Sequence, residues 1–268
     1  MGGNVNIVRE AALAGPRTPL ARLFDDALVG AGVAADVGER VRAFVDLARC
    51  YQQPGRHYHT LRHIAETTAA LRVLLTAEQQ ASDKELAPAC TLAVYFHDAV
   101  YDPELTDNER RSADLASRIL AELGCPRVVG AAVARLVLAT ASHGSRSRDE
   151  ALVNDADLRV LARGPAGYDL YVRRVRREYG GLDDGQWRRG RAAALRHLLD
   201  GPLYSTGWAR RRWEPSARLN LVRELDGLTT RGSDPVRRSG IVQGAAADPV
   251  RSAPRPSERP DGPPTDGG

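Results

Sequence analysis

The chain has 268 residues, 43% of them hydrophobic but only 5% aromatic, so its core must come mainly from Ala, Leu and Val, a composition that suits packed helices better than sheets. The net charge is +4, with Lys84 as the sole lysine; the arginines are interleaved with Asp and Glu, the pattern of a solvated face, so nucleic acid is not an expected partner. Cys50, Cys90 and Cys125 are widely spaced with no C-x-x-C and an odd total, which argues against a disulfide framework and against a cysteine zinc site. They read as small buried apolar residues.

Residues 1–16 form a leader without the apolar core of a signal peptide, and no stretch of about 18 apolar residues exists to span a membrane. A cytoplasmic protein with no membrane partner is the expectation. "TPLARLFDDALVGAG" opens a helix with Thr18 as N-cap and Pro19 at the first helical position. "ADVGERVRAFVDLARCY" repeats apolar residues at helical spacing: Val37, Val41, Phe44, Val45 and Ala48. Pro54 and Gly55 break the chain, and a third helix is predicted over Thr60–Thr76, with Leu61, Ile64, Thr68, Leu71 and Leu75 as one stripe. "DKELAPACTLAVYFHD" is a fourth helix, apolar over its second half. "TDNERRSADLASRILAELG" is a fifth, predicted to start at a Thr106-x-x-Glu109 capping box and to end at Gly124. Pro126 begins a sixth, running to Thr140. After a polar loop, "EALVNDADLRVLA" is a seventh, stopping at Gly164. "PAGYDLYVRRVRREYGG", "DDGQWRRGRAAALRHLLDG" and "WEPSARLNLVRELDGL" complete the set.

No strand of convincing length and no internal repeat is visible. From residue 229 to 268 the composition shifts to Pro, Gly, Ser, Asp and Arg, which cannot bury enough surface to offset ordering entropy. The expected fold class is all-α: one helical domain over 17–228 with a disordered tail over 229–268.

The chemically pointed residues are His59-x-x-x-His63, the doublet His97-Asp98, then His143, then Asp155-x-Asp157. His59 and His63, four apart, share a helix face, a pairing known from metal-binding helices. That face is offset from the Leu61/Ile64/Leu71 stripe. A lone histidine near a core is usually just hydrogen-bonded, and His197, in an arginine-rich helix, is read that way. Glu109 fits a capping box, and Asp155 could equally cap or pair with an arginine. His97 and Asp98 close an apolar helix, where charge is costly unless paired or bound to a cation.

The order His, His-Asp, Asp, with each group on its own helix, resembles the HD superfamily of metal-dependent phosphohydrolases. Within it, "YHTLRHI", "FHDAVYDPELTDNERRSA", "LATASH", "NDADLRVL", "REYGG" and "EPSARLNL" are similar to a branch of small bacterial proteins described as predicted metal-dependent phosphohydrolases. The resemblance covers nearly all of residues 17–228. It implies an all-α HD domain with the metal between central helices. Its ligands are His59, His97, Asp98 and Asp157, with His63 as a close second for the first histidine and His143 as an additional ligand or active-site histidine. The doublet is followed by "AVYD", not the Glu-Asp pair of alarmone hydrolases. No Gly-Tyr-Pro motif of cyclic dinucleotide phosphodiesterases follows.

Two imidazoles and two carboxylates suit Mn²⁺, Co²⁺, Ni²⁺, Fe²⁺ or Zn²⁺, with Mg²⁺ a further candidate, better than Ca²⁺. The expected partner is a small phosphorylated substrate such as a nucleotide. Asp102 and Glu109 are candidates for orienting water or for acid–base work. Arg62 and Arg110 are candidates for holding phosphate oxygens. The competing readings are an HD-type di-iron oxygenase, for which only His143 lies between the doublet and the last aspartate, and a non-catalytic ligand-binding HD module.

Overall fold

A computed structural model describes residues 18–78 and 83–230. The predicted leader, and the predicted tail from residue 231 onward, lie outside the described residues. Among those described there are eleven α-helices, one 3₁₀ segment and no strand, so the chain is all-α as its Ala-, Leu- and Val-rich composition requires.

The helices are α1 (Pro19–Gly30), α2 (Val37–Cys50), α3 (Leu61–Glu78), α4 (Asp83–Phe96), α5 (Asn108–Glu122), α6 (Arg127–Ala139) and α7 (Arg148–Asp157). The 3₁₀ segment Leu158–Ala162 follows, then α8 (Pro165–Glu178), α9 (Asp184–Leu199), α10 (Gly207–Arg212) and α11 (Glu214–Thr230). Helix α4 is the hub and packs against α1, α3, α5, α6 and α7. Its second half is apolar on every side, and Leu92, Ala93, Val94 and Phe96 are fully buried, as a helix surrounded by others must be. The closest approach is at Gly30, where a Cβ would lie 3.1 Å from Cγ of Pro88. Glycine there lets the end of α1 meet the proline in α4.

Around the hub sits an aromatic group. Phe24 packs against Phe44, Tyr95 and Phe96 at centroid distances of 5.8, 5.1 and 6.1 Å. The Tyr51 hydroxyl donates to the Tyr95 carbonyl at 2.7 Å, and the Tyr95 hydroxyl to the Leu20 carbonyl at 2.7 Å. These bonds tie α1 and α2 to the last turn of α4, so the residues that follow that turn leave from a fixed point.

Thr18 caps α1 and accepts from the Ala21 N–H, with Pro19 behind it. Gly124 takes φ 69° beyond α5, the left-handed ending that glycine favours. Helix α2 carries a capping box that the apolar pattern alone does not reveal: Asp36 accepts from the Glu39 N–H and Glu39 from the Asp36 N–H, each at 2.9 Å. Asp36→Ala removes half of it and should cost about 1 kcal/mol, or about 3 °C in melting temperature for a domain of this size. Thermal circular dichroism checks this, and an unchanged melt would show that α2 is held by its packing alone.

Several expectations need correcting. No capping box forms at Thr106 and Glu109: the N-cap of α5 is Asp107, with no side-chain cap bond. The reason is that the preceding loop is tied down elsewhere, through Asn108, which bonds the backbone of Asp102 and Leu105. His59 does not lie on a helix with His63, because α3 starts at Leu61. The predicted seventh helix is really α7 plus a 3₁₀ turn that seats both Leu158 and Leu161 in the core. The six-residue α10 has too little periodicity to stand out from sequence. Helix α11 extends to Thr230, two residues past the expected boundary. Cys90 is buried, but Cys50 and Cys125 are only half-buried.

Candidate metal centre

The doublet sits where α4 runs out. His97 keeps a helical bond from its N–H to the Ala93 carbonyl at 2.9 Å, and the chain then turns. The turn holds because Arg56, itself buried, donates to the Asp98 carbonyl at 2.7 Å, the Ala99 carbonyl at 2.9 Å and the His59 carbonyl at 3.1 Å. Its guanidinium also packs over the rings of Tyr51 and Tyr101. One arginine therefore fixes the His59 segment against the end of α4.

Three segments then converge on the doublet. His63, in the first turn of α3, places Nε2 3.1 Å from His97 Nε2 and 3.4 Å from Asp98 Oδ2. Asp157, the last residue of α7, places Oδ1 3.1 Å from His63 Nε2 and 3.4 Å from His97 Nε2. Asp98 Oδ2 is 3.0 Å from His97 Nε2. His63, His97 and Asp157 each offer a donor atom within 4.8 Å of the others. His59 stands further out, its Nε2 3.9 Å from Asp98 Oδ2. His143 bonds the other oxygen of Asp157, Nε2 to Oδ2, at 2.9 Å. It does so from a left-handed backbone, φ 51°, a conformation that costs energy outside glycine. Its Nδ1 is buried without a hydrogen-bond partner.

The far side of each central ring is anchored. His97 Nδ1 lies 2.9 Å from the Val94 carbonyl, which can only accept, so the proton sits on Nδ1 and a neutral ring keeps its lone pair on Nε2. His63 Nδ1 lies 3.4 Å from the Thr67 hydroxyl. His59 Nδ1 lies 2.6 Å from Glu178 Oε2. Glu178 is buried at the end of α8, and its other oxygen accepts the consecutive backbone N–H groups of His57, Tyr58 and His59 at 2.6, 2.6 and 3.0 Å. An anchored Nδ1 with Nε2 turned inward is the usual arrangement of metal-ligating histidine.

Burial alone would push the His97 imidazole down, but the Asp98 and Asp157 carboxylates outweigh it and hold His97 well above its ordinary value. Burial likewise favours neutral carboxyls. The His97 and His59 rings nonetheless hold Asp98 well below its usual range, and His97 and His143 do the same for Asp157. The centre is thus built around buried negative charge whose positive partner, without a metal, is the imidazolium form of its histidines.

A divalent cation fits that role. Ligands about 2.1 Å from a common ion lie about 3.0 Å apart in an octahedral array and about 3.4 Å in a tetrahedral one. The separations of the His63 and His97 Nε2 atoms from each other and from the Asp98 and Asp157 oxygens run from 3.0 to 3.4 Å. Two imidazole Nε2 atoms 3.1 Å apart repel through their lone pairs unless a proton or a cation lies between them. Beside them is a cavity of about 20 Å³ lined by His59, His97, Asp98, Glu109, His143 and Asp157, room for about one water or ion.

The remaining candidates are placed as follows. Glu109 lines that small cavity. The Asp102 carboxylate accepts the Glu104 N–H at 2.9 Å in the loop before α5 and is not among the residues lining the cavity. Arg110 is exposed, 3.9 Å from Asp107. Arg62 is exposed and pairs with Glu66 at 2.9 Å. Asp155 accepts the Ser205 and Thr206 N–H groups at 2.7 Å each, a structural role. His197 is exposed on α9. Sequence reasoning missed Arg56 and Glu178 as positioning residues. Glu178 has a readable signal: it continues the buried stripe Tyr168, Tyr171, Val175 of α8, so a carboxylate stands where the spacing calls for an apolar residue.

No protein-family model, curated protein or solved structure matches the chain, so the chemistry of this centre has to be read from its own residues. Among the described residues, no helix is long and apolar enough to cross a membrane.

Proposed function

We propose that this protein is a metal-dependent phosphohydrolase, cleaving a phosphate ester of a small molecule such as a nucleotide. A divalent cation would be held by His63, His97, Asp98 and Asp157, with His59 completing the set. The observation that carries the reading is the convergence of two imidazole Nε2 atoms, those of His63 and His97, 3.1 Å apart and each within 3.0–3.4 Å of the Asp98 and Asp157 carboxylates, from three separate segments. When bound, the cation supplies a Lewis acid for a phosphoryl oxygen and lowers the pKa of a water.

The chain's own residues do the rest. Arg56 and Glu178 fix the His59 segment. The Val94 carbonyl holds His97 in the tautomer with a lone pair on Nε2. Glu109, on the wall of the same small cavity, takes a proton from the attacking water or gives one to the leaving oxygen at its carboxylate. Because the N-cap of α5 is Asp107 rather than Thr106, and glutamine keeps the shape of Glu109, Glu109→Gln should leave the melting temperature within about 2 °C while lowering turnover at least about tenfold. Unchanged turnover would remove Glu109 from the acid–base role.

The deciding experiment joins metal analysis of the purified protein to a phosphate-release screen over nucleotides, sugar phosphates and phosphodiesters. Release that is abolished by chelator and restored by one divalent ion supports the reading; metal-loaded protein that releases phosphate from none of them refutes it. One observation favours a second reading. Asp157 divides its oxygens, Oδ1 toward His63 and His97 and Oδ2 toward His143, so Asp157 and His143 would be available to hold a second cation. Two irons per chain with an oxidisable optical band would move the assignment to an HD-type di-iron oxygenase.

A further inference from the structure

A second, larger cavity of about 410 Å³ opens beside the centre, shares Tyr58, Asp157 and Val160 with the small one and is lined also by His63. Its wall carries Arg159, Arg163, Trp208 and Trp213, and the charge there is unbalanced. Arg163 pairs with Glu66 at 2.6 Å, but Arg62 pairs with the same carboxylate at 2.9 Å. Arg174 lies within electrostatic reach of Arg62, Glu66 and Arg163. Arg159 sits next in the same field, beside Arg163. Arg62 and Arg163 thus share one carboxylate, Glu66, with Arg174 in reach of it, while Asp157 is committed to its three imidazoles.

Arg159 is the singular member. Its guanidinium packs over Trp213, 5.0 Å from the ring centroid. Its Nη1 is buried with no hydrogen-bond partner. Burial and the neighbouring Arg163 make its charge costly. Arginine does not escape such a cost by losing its proton, so a buried donor without an acceptor is a standing penalty. A small rotation of the guanidinium presents that donor to an anion in the cavity.

We infer that Arg159, stacked on Trp213 and backed by Arg163, forms an anion subsite separate from the metal centre, and that the substrate carries a second anionic group beyond the ester that is cleaved. The substrate class rests on the phosphohydrolase reading; the subsite itself does not need it. A phosphate ester with two separated negative groups would place one at the centre and the other on Arg159. A monoanionic ester of a neutral alcohol would leave Arg159 unsatisfied and bind weakly.

The test uses the full chain freed of metal with chelator, so that the subsite is read alone. Inorganic phosphate is titrated while tryptophan emission is followed, because two of the three tryptophans line this cavity. Saturable quenching is expected, weakened at least tenfold in Arg159→Gln and largely restored in Arg159→Lys, which keeps the charge and guards against misfolding. Arg176→Gln, whose guanidinium packs over Trp187 instead, 5.5 Å from the ring centroid, should respond as wild type. No saturable response in wild type, or equal half-saturation in wild type and Arg159→Gln, overturns the subsite. Metal content, measured on the same preparations before chelation, reports separately on the metal reading. Phosphate quenching in a chain that never binds metal would keep the anion subsite and discard the phosphohydrolase.

Discussion

Asp157→Ala should leave dialysis without its divalent metal. Asp157 is the carboxylate that touches three imidazoles: His63 at 3.1 Å, His97 at 3.4 Å and His143 at 2.9 Å. Its removal takes away one ligand and one negative charge, and leaves three rings without their common acceptor. Even partners outside the ligand set are typically worth 10- to 100-fold in affinity, so loss of this ligand should exceed about 100-fold, close to 3 kcal/mol. Asp98→Ala, His97→Ala and His63→Ala should follow it. His59→Ala should lose less, about tenfold, because its Nε2 stands 3.9 Å from Asp98, outside the closest group. His197→Ala, on the exposed face of α9, should keep wild-type metal and activity. The fold should survive these changes, though metal-free protein should melt lower; a ligand at 100 times its dissociation constant adds about 2.7 kcal/mol. The measurement is bound metal per chain after reconstitution with Mn²⁺, Co²⁺, Ni²⁺, Fe²⁺ or Zn²⁺. Equal metal in wild type and Asp157→Ala, or none in either, would mean that His63, His97, Asp98 and Asp157 are an internally satisfied ion cluster.

That ranking also marks how far the sequence could be read. The all-α fold was legible because Ala- and Leu-rich stripes at helical spacing recur through residues 18–228, broken by Pro and Gly at real boundaries such as Thr18-Pro19 and Gly124. His97 and Asp98 were legible because two polar ligands close an otherwise apolar helix, a placement with a high cost unless something compensates it. What spacing could not settle was the choice between His59 and His63. Four residues apart suggests one helix face, yet α3 begins only at Leu61, so His59 reaches the centre from a turn held by Arg56 and Glu178. Those two anchors come from 42 and 119 residues away in sequence from the groups they hold, and no local pattern encodes such a pairing. Glu109 shows the opposite error. Thr106-x-x-Glu109 satisfies a local capping rule, but Asn108 ties the loop to Asp102 and Leu105, and these side-chain-to-backbone bonds within the loop win. Arg159 was hidden for a different reason: in a chain whose positive charge is almost all arginine, one more arginine carries no signal until its lack of an acceptor is seen.

Glu178→Gln should be the costliest change outside the ligands. The Glu178 side chain is fully buried, accepts three consecutive backbone N–H groups and meets His59 Nδ1 at 2.6 Å, with the Tyr101 hydroxyl at 3.2 Å. Burial would raise its carboxyl, but the His59 ring and the backbone donors lower it from 4.5 to about 2. At 1.36 kcal/mol per unit, that difference corresponds to about 3 kcal/mol of stability. The folded value lies below the unfolded one, so this stabilisation is present in full above about pH 4.5 and is lost as pH falls toward 2. Glutamine has no charge to lose. In chelator-treated protein, Glu178→Gln should therefore be about 3 kcal/mol less stable at pH 7, and the wild-type curve should descend toward it between pH 5 and 3. Denaturant unfolding at several pH values measures this; a gap that stays constant over that range would show that the carboxylate is held by shape rather than charge. The same substitution reaches the centre. An amide in place of the carboxylate can offer an N–H to His59 Nδ1, which moves the ring proton to Nε2 and removes the lone pair that faces Asp98. Metal affinity should then fall about 10- to 100-fold, although no atom of Glu178 touches the metal's place.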